Sequence, residues 1–176
     1  MPDVVCSLKV DQPQAIPPGS AYTLLRFPYG SAGESYDPCD MHPAIQPDGV
    51  TSTYPDPRSG LIWPAHDAWA SLYALIYWEP GNYTEVRDRF VRDPLGLFEA
   101  PDSTCTEDHP ATPGGQYVAK SWGMFVHPGV PVGLMVRHDS ASPVKVTLAE
   151  FKVAYRLDAP IDQVGGGDAV SGPHLL

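Results

Sequence analysis

Proline and glycine interrupt this chain so often that no long helix can form in it. There are 21 prolines and 16 glycines among the 176 residues. Because proline lacks a backbone N–H group and clashes with the preceding helical turn, this spacing excludes a helical bundle or a coiled coil. Hydrophobic residues still make up 43% of the chain, which excludes a disordered acidic tail. The sequence therefore predicts one loop-rich, all-β domain that is large enough to bury its own core.

The balance of charge argues against a nucleic-acid partner. The formal net charge is −10, and the 11 basic residues are scattered, so most of the surface would repel a phosphate backbone. No apolar stretch reaches the length of a membrane span, and the start of the chain lacks the basic and apolar regions of a signal peptide. We expect a soluble chain that is made in the cytoplasm and has no membrane partner. Cys6, Cys39 and Cys105 lie far apart, which predicts three free thiols.

Short runs of β-branched and aromatic residues, separated by turn residues, predict seven or eight antiparallel strands. The runs cover residues 21–27, 61–63, 69–78, 83–92, 116–126, 131–138 and 144–155. The run 83–92 has the pattern of an exposed strand, with a helical turn over 85–90 as the alternative. A change of phase near Ala149 and Glu150 indicates a β-bulge. The stretches 29–59 and 93–115 are predicted long loops, which in compact domains are often functional.

The predicted strands divide the chain into three regions. Residues 1–20 are an N-terminal arm, 21–157 form the β-domain, and 158–176 are a C-terminal tail without periodicity. The number of strands and the spacing of the turns favour a β-sandwich or jelly roll.

The strand from Trp69 to Trp78 is apolar on both faces. Side chains alternate along a strand, so one face presents Leu72, Ala74, Ile76 and Trp78 and the other presents Ser71, Tyr73, Leu75 and Tyr77. A sandwich strand normally buries one face and exposes the other, so the second face needs a covering layer. We expect that layer to be another copy of the chain, with Tyr73, Leu75 and Tyr77 at the subunit interface.

Clusters of polar residues offer several candidate sites, each with a structural alternative. Asp37, Asp40 and His42 could bind a metal ion, or the aspartates could cap a turn. The pairs His66–Asp67 and His138–Asp139 could serve a hydrolase, but no nucleophile or metal motif accompanies them. Paired carboxylates for glycoside cleavage would have to come from a group of acids that solvated strand ends explain as well: Glu79, Glu85, Asp88, Glu99 and their neighbours.

The aromatic residues leave a glycan-binding platform as an alternative to core or subunit contacts. The residues concerned are Trp63, Trp69, Trp78, Trp122, Tyr73 and Tyr77. Glycine-rich phosphate loops are absent from the sequence. We therefore predict no catalytic residue, metal site or cofactor, and a protein that is not an enzyme.

A series of turn and strand signatures runs through the chain. These are Ile16-Pro17-Pro18-Gly19, Tyr22 to Phe27, Tyr36-Asp37 with Met41-His42, Gly60 to Pro64, the long aromatic strand to Trp78, Phe90 to Pro94, Pro113 to Gln116, Val126 to Leu134 and Ala149 to Val153. Their order over about residues 15–157 resembles that of small virion proteins of tailed phages that infect actinobacteria. The sequence departs from the pattern at His66-Asp67-Ala68-Trp69, where such proteins often have glycine followed by tyrosine.

Such proteins are similar to the trimeric jelly rolls of the tumour-necrosis-factor and complement-head class. The resemblance implies a homotrimeric, structural minor tail or capsid decoration protein, located in the virion after synthesis in the host cytoplasm. It implies neighbouring capsid or tail proteins as further partners. A carbohydrate-binding module for host-surface glycan is the alternative function.

Overall fold

The computed structural model describes residues 3–157, which form strands, irregular loops and two short turns of 3-10 helix. The strands are β1 (Asp3–Val10), β2 (Gln14–Ile16), β3 (Thr23–Leu24), β4 (Glu34–Tyr36), β5 (Ala68–Trp78), β6 (Glu85–Arg92), β7 (Asp102–Pro110), β8 (Gln116–Val126), β9 (Val132–His138) and β10 (Val144–Arg156). The 3-10 turns are Gly30–Ala32 and Pro57–Gly60. The predicted tail, 158–176, lies outside the described residues.

Two antiparallel sheets pack face to face. The larger sheet has the order β4-β1-β10-β5-β8, with β2 also paired to β10, and the smaller sheet has the order β3-β9-β6-β7. Most neighbours within a sheet are distant in sequence, because the chain crosses repeatedly from one sheet to the other. The prediction of an all-β, antiparallel sandwich with jelly-roll topology is confirmed.

Side chains that alternate along strands of both sheets fill the space between the sheets. Leu72, Ile76 and Trp78 of β5 are fully buried there, as the sequence pattern predicts. Phe90 of β6 stacks on Phe151 of β10 with ring centroids 5.8 Å apart. The prediction of an exposed strand over 83–92 is therefore wrong, because β6 lies between β9 and β7 and turns one face inward.

The structure corrects the predicted N-terminal arm, 1–20, because strands β1 and β2 lie within it. β1 pairs with β10 along its whole length, from Asp3 opposite Arg156 to Val10 opposite Ala149. The residues Val4, Cys6, Leu8 and Val10 are buried at every second position, which is the period of a strand with one buried face. β2 pairs with the other end of β10.

Three loop and register predictions also change. Asp102–Pro110, within the predicted loop 93–115, is strand β7 at the edge of the smaller sheet. None of its residues is fully buried, so polar side chains are accommodated along the whole strand. The predicted strand 61–63 makes one isolated bridge, between Ile62 and Val132. The bulge in β10 falls between Val146 and Leu148, slightly before its predicted position. The stretch 29–59 is largely irregular, as predicted, apart from β4 and the 3-10 turns.

Loop segments cover the outer face of the smaller sheet. Leu24, Leu61, Trp63, Val91 and Met135 form a second buried cluster there, and Leu95 and Leu97 pack against it. Asp93 holds this covering loop in place. Its carboxylate accepts hydrogen bonds from the backbone N–H groups of Leu97, Phe98 and Glu99 at 2.8, 2.8 and 2.9 Å.

Replacing Asp93 should weaken the fold at neutral pH and less so in acid. Burial alone would raise the pKa of Asp93, but the hydrogen bonds from Glu99, Phe98 and Leu97 outweigh it and lower the pKa below its usual value. A lowered folded-state pKa means that the stabilisation is complete above the unfolded-state pKa of about 3.9 and is lost as the pH falls through the folded-state value. Asparagine also tolerates the positive φ of 48° at this position.

We expect Asp93→Asn to lower the free energy of unfolding by about 1.5–3 kcal/mol at neutral pH, because hydrogen bonds to a charged group contribute about that much. Urea unfolding at neutral and at acidic pH measures the difference between the variant and the natural sequence. The difference should shrink in acid, where Asp93 is itself neutral. A difference that stays constant with pH would contradict the role of the charge.

Candidate subunit interface

The outer face of the larger sheet is apolar over strands β5 and β8, and within 3–157 no segment covers this half. On β5, Trp69 is 59% exposed and Tyr73 is 44% exposed. On the neighbouring β8, Tyr117 is 66% exposed and Phe125 is 59% exposed. Soluble monomers rarely expose a contiguous aromatic surface of this kind, so the face has the character of an interaction surface. We call it the aromatic face: Trp69, Tyr73, Leu75, Tyr77, Tyr117 and Phe125.

The three residues predicted at an interface all lie on the aromatic face. Tyr73 is exposed, while Leu75 and Tyr77 are half-buried by their neighbours on the sheet. The sequence interpretation missed Tyr117 and Phe125, which pair across the strands with Tyr77 and Trp69. Period-two alternation along 116–126 was the signal that could have identified both residues.

Ring packing within the sheet already orders the aromatic face. Trp69 and Phe125 meet edge to face at 83°, with ring centroids 4.9 Å apart. Tyr77 and Tyr117 have ring centroids 4.5 Å apart at 37°. Ordered rings lose little conformational freedom when a partner binds, which favours tight association.

The aromatic face reaches the open edge of the larger sheet. In the described part of the chain, β8 pairs only with β5, so its other side presents unpaired backbone groups. Trp122 is 46% exposed on this strand. A long edge strand with exposed aromatic residues aggregates readily unless something covers it. One partner could therefore cover both the open edge of β8 and the aromatic face.

The other half of the same sheet surface is polar. Lys152 and Glu150 on β10 form an ion pair at 2.7 Å, and Arg156 bonds to Asp3 at 2.8 Å. A shallow depression of about 500 Å³ lies between this polar half and the aromatic face, with Trp69 and Tyr73 on its wall. One face thus offers both an apolar surface and a recess into which a partner side chain can fit.

The candidate metal cluster of Asp37, Asp40 and His42 is a capped turn. Asp37 accepts hydrogen bonds from the backbone N–H groups of Met41 at 3.0 Å and His42 at 2.8 Å. The buried ring of His42 instead contacts Glu34 at 3.0 Å and the carbonyl of Ser59 at 2.9 Å. Burial raises the pKa of the Asp37 carboxyl, and the two backbone hydrogen bonds oppose that rise. The alternative of a turn with aspartate caps is the one observed.

In both candidate His–Asp pairs, the histidine and the aspartate bind different partners. His138 is buried, with Nε2 3.0 Å from the carbonyl of Ile16 and Nδ1 accepting from the N–H of Ser140. Asp139 caps Thr84 on the surface, and its hydrogen bond with the Thr84 hydroxyl lowers the pKa of the carboxyl. His66 contacts the Tyr155 hydroxyl, whereas Asp67 binds His127 at 2.7 Å.

The candidate carboxylates are dispersed among structural contacts. Glu79 accepts from the backbone N–H of Lys145 at 3.2 Å, and Glu85 binds Arg87 at 2.5 Å. Asp88 lies in the core beside Lys120, and Glu99 lines a separate cleft with Arg92 and His127.

The tryptophans do not share one surface. Trp63 and Trp78 are buried, and the exposed Trp69 stands edge to face with Phe125 rather than coplanar with it. The flat platform expected of a glycan-binding site is therefore not present at Trp69. Cys6, Cys39 and Cys105 are all free thiols, as predicted.

Solved structures of low sequence identity share this architecture. The globular domain of zebrafish complement 1qA matches with a TM-score of 0.56 and 9% identity, over 88% of this chain and 98% of its own. Murine APRIL matches with a TM-score of 0.55 and 10% identity, over 86% and 98%. Eiger TNF from S. frugiperda matches with a TM-score of 0.54 and 10% identity, over 90% and 96%.

The fold is the tumour-necrosis-factor and complement-head jelly roll. At these identities the likeness concerns the fold alone. No protein-family model matches the sequence, and no curated protein matches it. Over residues 3–157, this jelly roll has no helix with the length and hydropathy needed to cross a membrane.

Proposed function

We propose that the chain is a non-enzymatic structural subunit that assembles as a homotrimer through the aromatic face. The exposed rings of Trp69, Tyr73, Tyr117 and Phe125 on one uncovered sheet surface carry the proposal. The smaller sheet supports it by contrast, since loop segments already cover its outer face. A partner is needed on one side of the sandwich only.

Association of identical copies around a threefold axis satisfies this requirement. A head-to-tail contact that closes into a ring places the β8 edge of one copy against the sheet face of the next. Obligate interfaces bury about 2,000 Å² or more in total. Apolar area contributes about 25 cal/mol for each Å² removed from water, before the costs of association are subtracted. The shallow depression beside Trp69, which lies between the aromatic face and the polar half of the sheet, would fix how one copy is aligned on the next.

We further propose a role in a tailed-phage virion, as a minor tail or capsid decoration protein. This part rests on the segments quoted above, from Ile16-Pro17-Pro18-Gly19 to Ala149–Val153, whose order resembles that of such proteins. The irregular stretch 29–59 is the proposed contact with neighbouring capsid or tail proteins. Mass spectrometry of purified particles tests the role. The chain should be a stoichiometric component, and its absence from intact particles would contradict a virion location.

Hydroxyl-radical footprinting tests which surface is covered in the assembly. Trp69, Tyr73 and Phe125 should be protected in the assembled protein, although each side chain is exposed in a single copy. Phe98 is a matched control, because it is 52% exposed on the opposite side of the sandwich, where it contacts Trp63. Equal oxidation of Phe98 and Phe125 would contradict the placement of the interface.

Gly123 should control assembly through Trp69. A Cβ atom at Gly123 would lie 2.7 Å from Cζ2 of the Trp69 ring, so the ring occupies the space that the glycine leaves. We expect Gly123→Val to move Trp69 off the sheet, disrupt its contact with Phe125 and weaken self-association by about tenfold, the effect of losing roughly 1.4 kcal/mol. Sedimentation over a range of concentrations measures the change.

The same substitution in a Trp69→Ala background separates this effect from strand propensity. Without the indole ring, valine fits at position 123 and should cause no further loss of association. An equal loss in both backgrounds would rule out the proposed coupling between Gly123 and Trp69.

A further inference from the structure

A lysine and an aspartate meet in the core between the two sheets. Lys120 projects from β8 of the larger sheet and Asp88 from β6 of the smaller sheet, with Nζ 2.5 Å from Oδ1. Each side chain is only 1% exposed. Removing two charges from water is costly, and their mutual attraction often does not fully repay that cost. The pair therefore calls for an explanation beyond stability.

Four further groups surround the pair. Glu107 Oε2 lies 3.5 Å from Lys120 Nζ, and its side chain is 44% exposed, so it connects the site to solvent. His109 Nε2 lies 2.9 Å from the other Asp88 oxygen, Oδ2. Lys120 also donates to the carbonyl of Cys105, and its Nζ lies 5.0 Å from the centre of the Phe90 ring. The reacting atoms of an amine and a carboxyl are thus held together in a buried pocket, with the Glu107 carboxylate beside the amine as a proton carrier.

We propose that Lys120 and Asp88 form an intramolecular isopeptide bond that joins the two sheets. Nζ of Lys120 attacks the carboxyl carbon of Asp88, a C–N bond forms, a C–O bond breaks, and one water leaves. The ammonium and carboxylate together carry the same atoms and the same zero net charge as the amide plus water. The step therefore needs no oxidant, reductant or other reagent.

Each neighbour has a role in this condensation. Lys120 first passes one proton to Oδ1 of Asp88, which leaves a neutral amine that can attack a neutral carboxyl group. Glu107 then takes a second proton from the attacking nitrogen and delivers it to Oδ1, which leaves as water; this is general acid–base catalysis. His109 donates a hydrogen bond to Oδ2 and stabilises the negative charge that develops there during attack. The fixed geometry supplies the effective concentration that two separate reactants would lack.

The product fits the site as well as the ion pair does. The one N–H group that remains on the amide can donate to the Cys105 carbonyl, and the amide oxygen can accept from His109. Two buried charges disappear, which removes their desolvation cost. The resulting link would tie β6 to β8 beside the open edge of the larger sheet. This inference is independent of the trimer and of the virion location.

Tryptic digestion of the full-length protein followed by mass spectrometry tests the proposal. Trypsin cannot cleave after an acylated lysine, so the product should contain a branched peptide in which 93–137 carries Asp88–Arg89 on Lys120. The intact chain should be lighter than its sequence by one water. Lys152 is the matched control, because it binds Glu150 at 2.7 Å but is 40% exposed, and cleavage after it should proceed. Full mass together with cleavage after Lys120 overturns the proposal.

Two variants separate the chemistry from folding. Lys120→Arg keeps the charge but should give no branched peptide and no mass loss. Glu107→Gln keeps the shape of the carboxylate but cannot carry the proton, and we expect the bond to form about 100-fold more slowly after synthesis. An unchanged rate in Glu107→Gln contradicts the proton path. If a variant fails to fold, the digest of the natural sequence still decides the question.

Discussion

The double substitution Tyr73→Ser and Tyr77→Ser should convert the proposed trimer into monomers or aggregates. Both rings lie on the aromatic face and outside the core between the sheets, so the fold of a single copy does not need them. Truncating a central aromatic residue of an interface costs about 2 kcal/mol or more, and each copy loses two such rings. Sedimentation velocity of the variant and of the natural sequence at equal concentration measures the effect.

Ile45→Ser is the control for this experiment. Ile45 is 71% exposed but lies in the long loop 29–59, away from β5 and β8. Its replacement removes a similar exposed apolar side chain and should leave the sedimentation profile unchanged. If the double tyrosine variant sediments as a normal trimer, the interface lies elsewhere on the molecule.

Asp88→Ala should cause the largest loss of stability among single polar substitutions in the described chain. It leaves Lys120 in the core without its carboxylate partner and also prevents the proposed isopeptide bond. Removing one member of a buried charged pair costs about 3–5 kcal/mol by itself. We expect about 3 kcal/mol, the lower end of that range, because the Cys105 carbonyl and Glu107 still face the lysine. Urea unfolding followed by tryptophan fluorescence measures the loss.

The surface pair Glu150–Lys152 provides the comparison. Its atoms are 2.7 Å apart, but the lysine is 40% exposed, and exposed pairs contribute about 1 kcal/mol or less. Glu150→Ala should therefore cost much less than Asp88→Ala. Similar losses for the two substitutions would mean that the buried pair makes no special contribution. The double replacement Asp88→Leu with Lys120→Met should recover the part of the loss that comes from the unpaired lysine, because an apolar pair of similar volume is often neutral. It should not recover the part that comes from the proposed isopeptide bond.

The fold class and the aromatic face could be predicted because they depend on local patterns. The sequence of β5 indicates which side chains lie on each face of the strand, because side chains alternate with period two. The structure accordingly places Leu72 inside the sandwich and Tyr73 outside. Strand β1 has the same period on one face, but the prolines that follow it suggested an arm. Its place between β4 and β10 depends on contacts with residues far along the chain, which local pattern does not encode.

Polar strands and buried charges were harder to predict for a physical reason. Strand β7 lies at a sheet edge and carries Asp, Ser, Thr and Glu, so hydrophobicity gives no sign of it. Asp88 and Lys120 belong to strands in different sheets, and each residue alone has the appearance of a surface charge. Only the packing of the two sheets brings them together. Such a contact depends on how the strands are ordered in the two sheets, and the spacing of residues along the chain does not reveal it.

Sedimentation equilibrium of the full natural chain tests the central claim most directly. A face that carries Trp69, Tyr73, Tyr117 and Phe125 needs a covering layer, and the proposed layer is the chain itself. The measured mass should be three times the 19.1 kDa of one chain and should persist on dilution. A stable species of 19.1 kDa, with Tyr73 and Tyr77 open to solvent labelling, would contradict it.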